Sequence, residues 1–399
     1  MMAAITAAYN GATVVILEKN QRVGKKLLAT GNGRCNLSNL QTGPANYHGG
    51  QPQFVAAALS SFDPQKTLDF FEYLGITPKI EPDGKVFPHS EQASSVLDLL
   101  RYEMEQTGVQ IISEAVVTGV TAEPSGLRVT TEGGGHFRAD RVVLATGGKA
   151  APQFGSDGSG YVIAQKVGHR LVEPLPALAP LKLQAAFLKR VKGVKFNGRA
   201  AVLDEAGQPL AEAAGEILFT EYGASGPPIL SLSRTAGACL QNNRAAFLKL
   251  TIIEHLSAAQ LHAYLTGRLA TKPDKSLAFS LVGFINKKLA PVLLQAAGFN
   301  NPNQAAGEIT ARELHKLTKI LSDWRFPITG TTSWPNAQTT AGGIDVTEVN
   351  DATLESKIIP GLFFAGEILD VDGDCGGYNL QWAWSSGYAA GLAASAAPK

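Results

Sequence analysis

The sequence predicts an α/β chain in which a dinucleotide-binding domain is split around an insertion that is β-rich first and helical second. Three observations predict it. The first part alternates strand-like and helix-like segments, and its earliest strand, Thr13–Leu17, runs into an acidic residue, Glu18. A proline cluster at Pro174, Pro176 and Pro180 then marks a boundary, after which short alternating strands (about 181–253) give way to a helical pattern (about 257–323). From Thr339 onward the strand-and-glycine texture of the first part returns. The expected divisions are 1–175 and 335–399 for the split domain, 176–254 for the β-rich insertion and 255–334 for a small helical subdomain.

Composition agrees with a globular protein of two or three domains. The chain has 399 residues, 45% hydrophobic and 17% charged, with a formal net charge of +1, which excludes long disorder and a general polyanion binder. Three cysteines far apart, Cys35, Cys239 and Cys375, suggest neither a disulfide framework nor a zinc site. No apolar run reaches spanning length, so no membrane partner is expected and the cytoplasm is the default location.

Taken in order, Met1–Tyr9 reads as a helix with an apolar face, and Asn10-Gly11 supplies its left-handed stop. A signal peptide is excluded by the lack of a basic start and by Glu18-Lys19. Helix, strand and Glu18 form the second half of a βαβ unit whose acid takes ribose hydroxyls, although any α/β domain could begin this way. The first half, an apolar strand running into G-x-G-x-x-G, is supplied by no residue of this sequence. A basic, glycine-rich loop follows at Gly24–Asn36, then helices at about 52–60, 64–74 (after the Asp63-Pro64 start signal) and 91–107. Strands are expected at Gln110–Ile112 and Ala115–Val120. Leu127–Thr131 and Phe137–Ala139 form a hairpin, and Arg141–Leu144 is a buried strand that breaks at Ala145-Thr146-Gly147-Gly148.

The most informative segment is C-terminal. Pro360–Ala365 reads as a buried strand ending in Gly366-Glu367, followed by Asp370-Val371-Asp372-Gly373. Gly376-Gly377 then starts a helix through Tyr378, Asn379, Leu380, Gln381, Trp382 and Trp384. A strand thus delivers acids to its carboxyl end, and a helix opens with unpaired N–H groups at the same place. That suits a carboxylate-held ribityl chain and a flavin carbonyl that becomes negative on reduction.

On these residues the chain resembles the BaiN-like family of FAD-dependent oxidoreductases, also described as YhiN-like or aminoacetone oxidase-like. The segments that carry the resemblance are Gly24–Asn39, Gly215–Leu230, Thr339–Val346 and Glu355–Gly391. The resemblance implies a split Rossmann-like FAD-binding domain with an inserted β-rich domain and a small helical subdomain. Carried over, Glu18 binds the adenosine ribose, and Lys19 with the loop Lys25, Lys26, Gly31, Gly33, Arg34, Cys35 and Asn36 lines the adenine and pyrophosphate side. Val117 meets adenine through its backbone, while Ala145, Thr146 and Gly147 pass under the cofactor. Gly366, Glu367 and Asp370 meet the diphosphate and ribityl chain; Gly377, Asn379, Leu380 and Gln381 meet the isoalloxazine. By the family's continuity, a little over a dozen residues with the strand and glycine fingerprint are expected before Met1.

Other residues offer candidate chemistry. Arg34 could lower the Cys35 thiol's pKa, and Cys35 could meet Cys375 across the fold; small-residue packing competes with both. Tyr378, in the flavin-facing loop, is the candidate catalytic acid, against a packing role. The histidines show no metal-ligand spacing. Lys189, Arg190, Lys192, Lys195 and Arg199 form a basic run that reads as a solvated strand edge before a nucleic-acid groove. The expected function is FAD-dependent oxidation or reduction of a small molecule. It is either an oxidase taking an amine such as aminoacetone or a reductase drawing on NAD(P)H for an activated double bond. The alternatives are an RNA-binding or RNA-modifying module and an inactive truncated flavoenzyme. The oligomeric state is open.

Overall fold

The computed structural model describes residues 1–396, and these divide into two compact units. The first unit comprises Met1–Pro176 and the described residues from Trp334 onward, the second Ala177–Ser333.

In the first unit, strand Val15–Glu18 pairs in parallel with Gln110–Ser113, and Val142–Leu144 pairs in parallel with Leu362–Phe364. Parallel pairing requires crossovers, and it aligns strand carboxyl ends, where α/β folds place their sites. The expected helices occur at Val55–Ser61, Pro64–Tyr73 and Ala93–Gln106. Asp63 caps the second of them, its carboxylate accepting the Lys66 N–H at 2.8 Å. The expected hairpin is part of a three-stranded antiparallel meander, Val117–Glu123, Gly126–Thr131 and His136–Ala139.

The N-terminal helix Met2–Tyr9 ends at Asn10, with Gly11 at φ +84°, and lies against the C-terminal helix Tyr378–Ser395. The contact is too close for side chains: a Cβ on Gly391 would stand 2.4 Å from the Ala3 carbonyl oxygen. Glycine there is a packing requirement.

The second unit is built on a closed six-stranded barrel. Around it run Leu181–Leu183, Gly223–Ser225, Pro209–Phe219, Lys195–Leu203, Phe247–Thr251 and Trp324–Thr331, the last pairing back to the first. Helices Ala258–Thr271 and Ala311–Ser322 begin with reciprocal capping boxes, Ser257 with Gln260 and Thr310 with Glu313. One hydrophobic core joins barrel and helices: Leu250, Phe326 and Trp324 belong to the same buried cluster as Leu261, Leu265 and Leu317. The stretch 255–334, expected to be helical, therefore departs from expectation at its end, where Trp324–Thr331 closes the barrel. No helix among the described residues is long and apolar enough to cross a membrane.

Candidate functional site

At the carboxyl end of the first strand, Glu18 Oε1 accepts the Asn20 N–H and side-chain amide, both at 2.8 Å. The Asn20 amide also reaches the Phe154 carbonyl, and Lys19 pairs with Asp157 at 2.7 Å. The Ala115 N–H bonds the Glu18 carbonyl, so the strand that begins at Val117 leaves from beside Glu18. Residue 147 is close to the same 154–157 turn: a Cβ on Gly147 would stand 2.7 Å from Ser156 Oγ.

The second parallel pair ends in exposed Ala145 and Thr146 on one strand and Ala365-Gly366 on the other, joined by the Ala365 N–H to the Leu144 carbonyl. Gly366 is locked on both sides, its N–H to Ser386 Oγ and its carbonyl to the Trp382 indole. It sits at φ +76°, yet nothing lies within 4 Å of where a Cβ would point. A buried backbone that faces open space is a place where a ligand can touch main chain.

Glu367 is committed to the protein. One oxygen receives Lys26 at 2.6 Å, and the other receives the Thr340 N–H and hydroxyl at 2.8 Å each. The Thr340 hydroxyl in turn accepts the N–H groups of Lys149 and Ala150. Lys26 thereby ties the glycine-rich loop to the strand end, whereas Lys25, Gly31 and Gly33 are exposed.

Several expectations for this loop change. Arg34 does not turn to a pyrophosphate or to Cys35: its guanidinium lies between Glu81 (2.9 Å) and Glu91 (3.2 Å), 4.0 Å over the Phe87 ring. Cys35 is fully buried in a hydrophobic cluster, and burial pushes its thiol up to about 12, so it is an unreactive packing residue. Cys35 and Cys375 are both free thiols. Asn36 behaves differently, since its buried Oδ1 has no hydrogen-bond partner and lies 2.9 Å from the Cβ position of Gly377, at the start of the C-terminal helix.

Gln381 also departs from its expected role beside an isoalloxazine. It is fully buried, its amide donating to the Phe62 carbonyl, Thr67 and Ser385 while its oxygen accepts from Ser38. Leu380 packs against the hydrophobic cluster that contains Cys35. Asn379 uses its amide to pin the preceding loop, bonding Gly373 on both sides at 2.8 Å. Asp370 is buried and accepts the Gly50 N–H at 2.7 Å, so its carboxylate fixes the 49–50 turn.

What the sequence did not bring together is an acid–base cluster around Tyr378. Strand Tyr47–His48 pairs antiparallel with Asp372–Gly373. That register sets His48 Nε2 at 2.9 Å from Asp374 Oδ1, while the Asn46 amide reaches Asp374 Oδ2 at 3.3 Å. Lys85 pairs with Asp83 and lies beside Gly376. The Tyr378 carbonyl accepts the Tyr47 hydroxyl at 2.9 Å, and the two rings meet edge to face. Burial, then the charges of Asp374 and Asp83, push the Tyr378 phenol up, with Lys85 opposing. Cys375 is likewise pushed up, chiefly by burial. His48, Asp374 and Lys85 stand in three separate stretches of sequence, and only the pairing of remote short strands joins them.

The open space at Gly366, the orphaned Asn36 oxygen beside a helix start, and a carboxylate at a strand end are what a dinucleotide-linked flavin requires. The residues present fit FAD.

Comparison with known proteins agrees. The family model described as the HI0933-like protein Rossmann domain matches residues 1–393. A 3-dehydro-bile acid delta(4,6)-reductase of Clostridium scindens is 39% identical over 400 residues, covering 100% of this chain and 97% of that protein. Ribosomal RNA dihydrouridine synthases of Escherichia coli and Haemophilus influenzae are 29% and 28% identical. The alignments cover 98% and 96% of this chain, and 94% and 93% of those proteins. The chain belongs to the HI0933-like Rossmann family, BaiN-like FAD-dependent oxidoreductases.

Proposed function

We propose that this protein reduces a carbon–carbon double bond conjugated to a carbonyl in a small organic substrate, with a reduced nicotinamide as electron source. The names of the relatives support this reading. Reducing a 3-oxo-Δ4,6 steroid and reducing uracil to its dihydro form both saturate a double bond in conjugation with a carbonyl. Glu18 would hold the adenosine ribose, and the Gly366 backbone and Asn36 would line the cofactor. The start of helix Tyr378–Ser395 would face the ring carbonyl that gains negative charge. Bound FAD supplies two-electron transfer between the nicotinamide and the double bond.

The reductive direction rests on the double bonds named for the relatives, and the Tyr378 phenol is the proton donor at hand. Burial and two carboxylates raise it above the ordinary phenol range, so like any tyrosine it carries its proton at neutral pH. A reductase needs a proton donor for the carbon next to the carbonyl; an amine oxidase needs a group that accepts a proton. Tyr378 would serve as that acid, and Asp374, whose charge acts on the phenol, is held by His48.

The test is anaerobic reduction of the FAD-loaded protein by NADPH or by aminoacetone, followed by mixing with cyclohex-2-enone or a 3-oxo-Δ4 steroid. Reduction by NADPH and enone-driven return of flavin absorbance are expected. Reduction by aminoacetone, with no response to either enone, would establish the oxidase instead.

A further inference from the structure

We infer that this protein forms a twofold dimer with a second copy of itself, through strand Gln110–Ser113 and the outer side of helix Ala93–Gln106; this goes beyond the reductase reading and does not depend on it. Among the described residues the strand pairs with Val15–Glu18 alone, so its other edge is open. The Gln110 N–H bonds the Val14 carbonyl, which turns Gln110 and Ile112 toward that neighbour. By the alternation of an extended chain, the backbone groups of Ile111 and Ser113 then point outward.

An open edge is a template for another strand, and edges that stay alone are blunted by charge, proline or a bulge. Two other edge strands of the first unit are blunted in this way. Pro78–Ile80 carries Pro78 and Lys79, and His136–Ala139 carries Arg138. Gln110–Ser113 carries no charge and no proline, and its register with Val15–Glu18 is unbroken.

Beside this edge lies a groove of about 530 Å³, lined by Asp98, Arg101, Tyr102 and Glu105 of the helix and by Val109 and Ile111. The four helix residues are spaced three and four apart, on a different side from buried Leu97, Leu100 and Met104, and all four are exposed. Arg101 has Asp98 three residues before it and Glu105 four after, a spacing that allows ion pairs along a helix. It pairs with neither, and neither carboxylate has another partner among the described residues. The groove therefore offers free charges of both signs. A basic or an acidic partner would leave one sign unmet, whereas a twofold contact sets each patch against its own copy, so that Arg101 meets a carboxylate of the other molecule. Antiparallel pairing of the two edges about Ile112 would set Ile111 opposite the partner's Ser113, with both helices on one face of the joined sheet.

The experiment is sedimentation equilibrium of the full chain over a range of concentrations, where wild type should follow a monomer–dimer equilibrium. Arg101→Glu makes the groove wholly acidic, and Asp98→Lys with Glu105→Lys makes it wholly basic. Each should weaken self-association by about tenfold or more, and mixing the two variants should restore a dimer containing one of each. Ser113→Pro deletes an outward N–H without touching the ladder to Val15–Glu18, and should also weaken the dimer. Arg138→Gln, on a blunted edge, should change nothing, and far-UV circular dichroism with a melting curve checks that each variant is folded. A wild type that stays monomeric at every concentration overturns the inference. So does a dimer unmoved by Ser113→Pro or by the charge changes, or a pair of charge variants that does not recover on mixing. A monomer that instead binds a peptide of alternating valine and lysine would give the edge to a basic strand of another protein, and overturns it as well.

Discussion

Two histidines in the first unit stand beside a carboxylate, and their surroundings give them opposite characters. His48 Nε2 is 2.9 Å from Asp374, and both side chains are more than a third exposed. His169 is buried, with Nε2 2.8 Å from Ser356 Oγ, its ring edge-on to Phe364, and Nδ1 3.3 Å from Glu348 but out of line for a hydrogen bond. The Ser356 hydroxyl also accepts the N–H groups of Ile358 and Ile359, so the buried set closes the turn before strand Leu362–Phe364. A serine, a histidine and a glutamate in that order would suggest a nucleophile, but the Ser356 hydroxyl is occupied by the 358–359 turn and His169 is packed against Phe364. The exposure of the histidine–carboxylate pair, not its identity, separates the two settings.

The largest expected effect tests Tyr378, itself buried, which opens the helix that follows the accessible His48–Asp374 pair. Tyr378→Phe removes the phenolic proton and leaves the ring that packs against Tyr47. Turnover of an enone should fall by about 10²–10⁴-fold, as for loss of a general acid, with flavin content unchanged. An equal loss of flavin would reassign Tyr378 to packing. His48→Gln should cost less, on the order of tenfold, because it holds Asp374, whose charge acts on the phenol. A loss as large as that of Tyr378→Phe, with flavin content unchanged, would show that His48 itself takes part in the proton transfer.

The two clusters were also unequally legible in sequence. Tyr378 is in a local motif, so its place after Gly376-Gly377 could be read directly. His48 and Asp374 are 326 residues apart, and nothing short of the pairing of Tyr47–His48 with Asp372–Gly373 joins them. Helix Pro64–Tyr73 was legible from Asp63-Pro64, because a cap is a property of adjacent residues. The barrel strand Trp324–Thr331 was not, since its partners Phe247–Thr251 and Leu181–Leu183 lie before the helices. Gln381 failed for the same reason: polar and next to a glycine turn, it reads as a ligand-facing amide, but Phe62, Thr67 and Ser38 satisfy it from outside the motif.

On the buried side, the expected effects are on stability. His169→Ala removes a hydrogen-bonded, fully packed ring and should destabilise the protein by about 2–4 kcal/mol in urea unfolding, with little change in turnover of folded enzyme. A turnover loss of the Tyr378→Phe size would mean that the buried set takes part in the reaction after all.

His169 should also make stability depend on pH. Burial holds it below the ordinary imidazole value, outweighing the opposing charge of Glu348. The unfolded chain therefore binds the proton more readily, and stability contributed by this group is present above about pH 6.5 and is lost as pH falls below it. The unfolding free energy should decline between about pH 6.5 and 5, and His169→Ala should remove that part of the decline. An unchanged decline would place the acid sensitivity elsewhere.

The smallest expected effect separates Glu348's two partners. Arg170, well exposed, bonds Glu348 through its Nε and backbone N–H, and pairs with Asp345 at 2.9 Å. A surface ion pair contributes little at neutral pH, so Arg170→Gln should barely move the melting temperature there. Its charge nevertheless opposes a proton on His169, both directly and by offsetting the Glu348 field. Without Arg170, the folded imidazole should protonate more readily, approaching its unfolded behaviour. The decline in stability below about pH 6.5 should then flatten in Arg170→Gln, although the neutral-pH stability is nearly unchanged. A steeper decline would mean that Arg170 acts mainly by keeping Glu348 ionised against the histidine, which reverses the sign of the coupling.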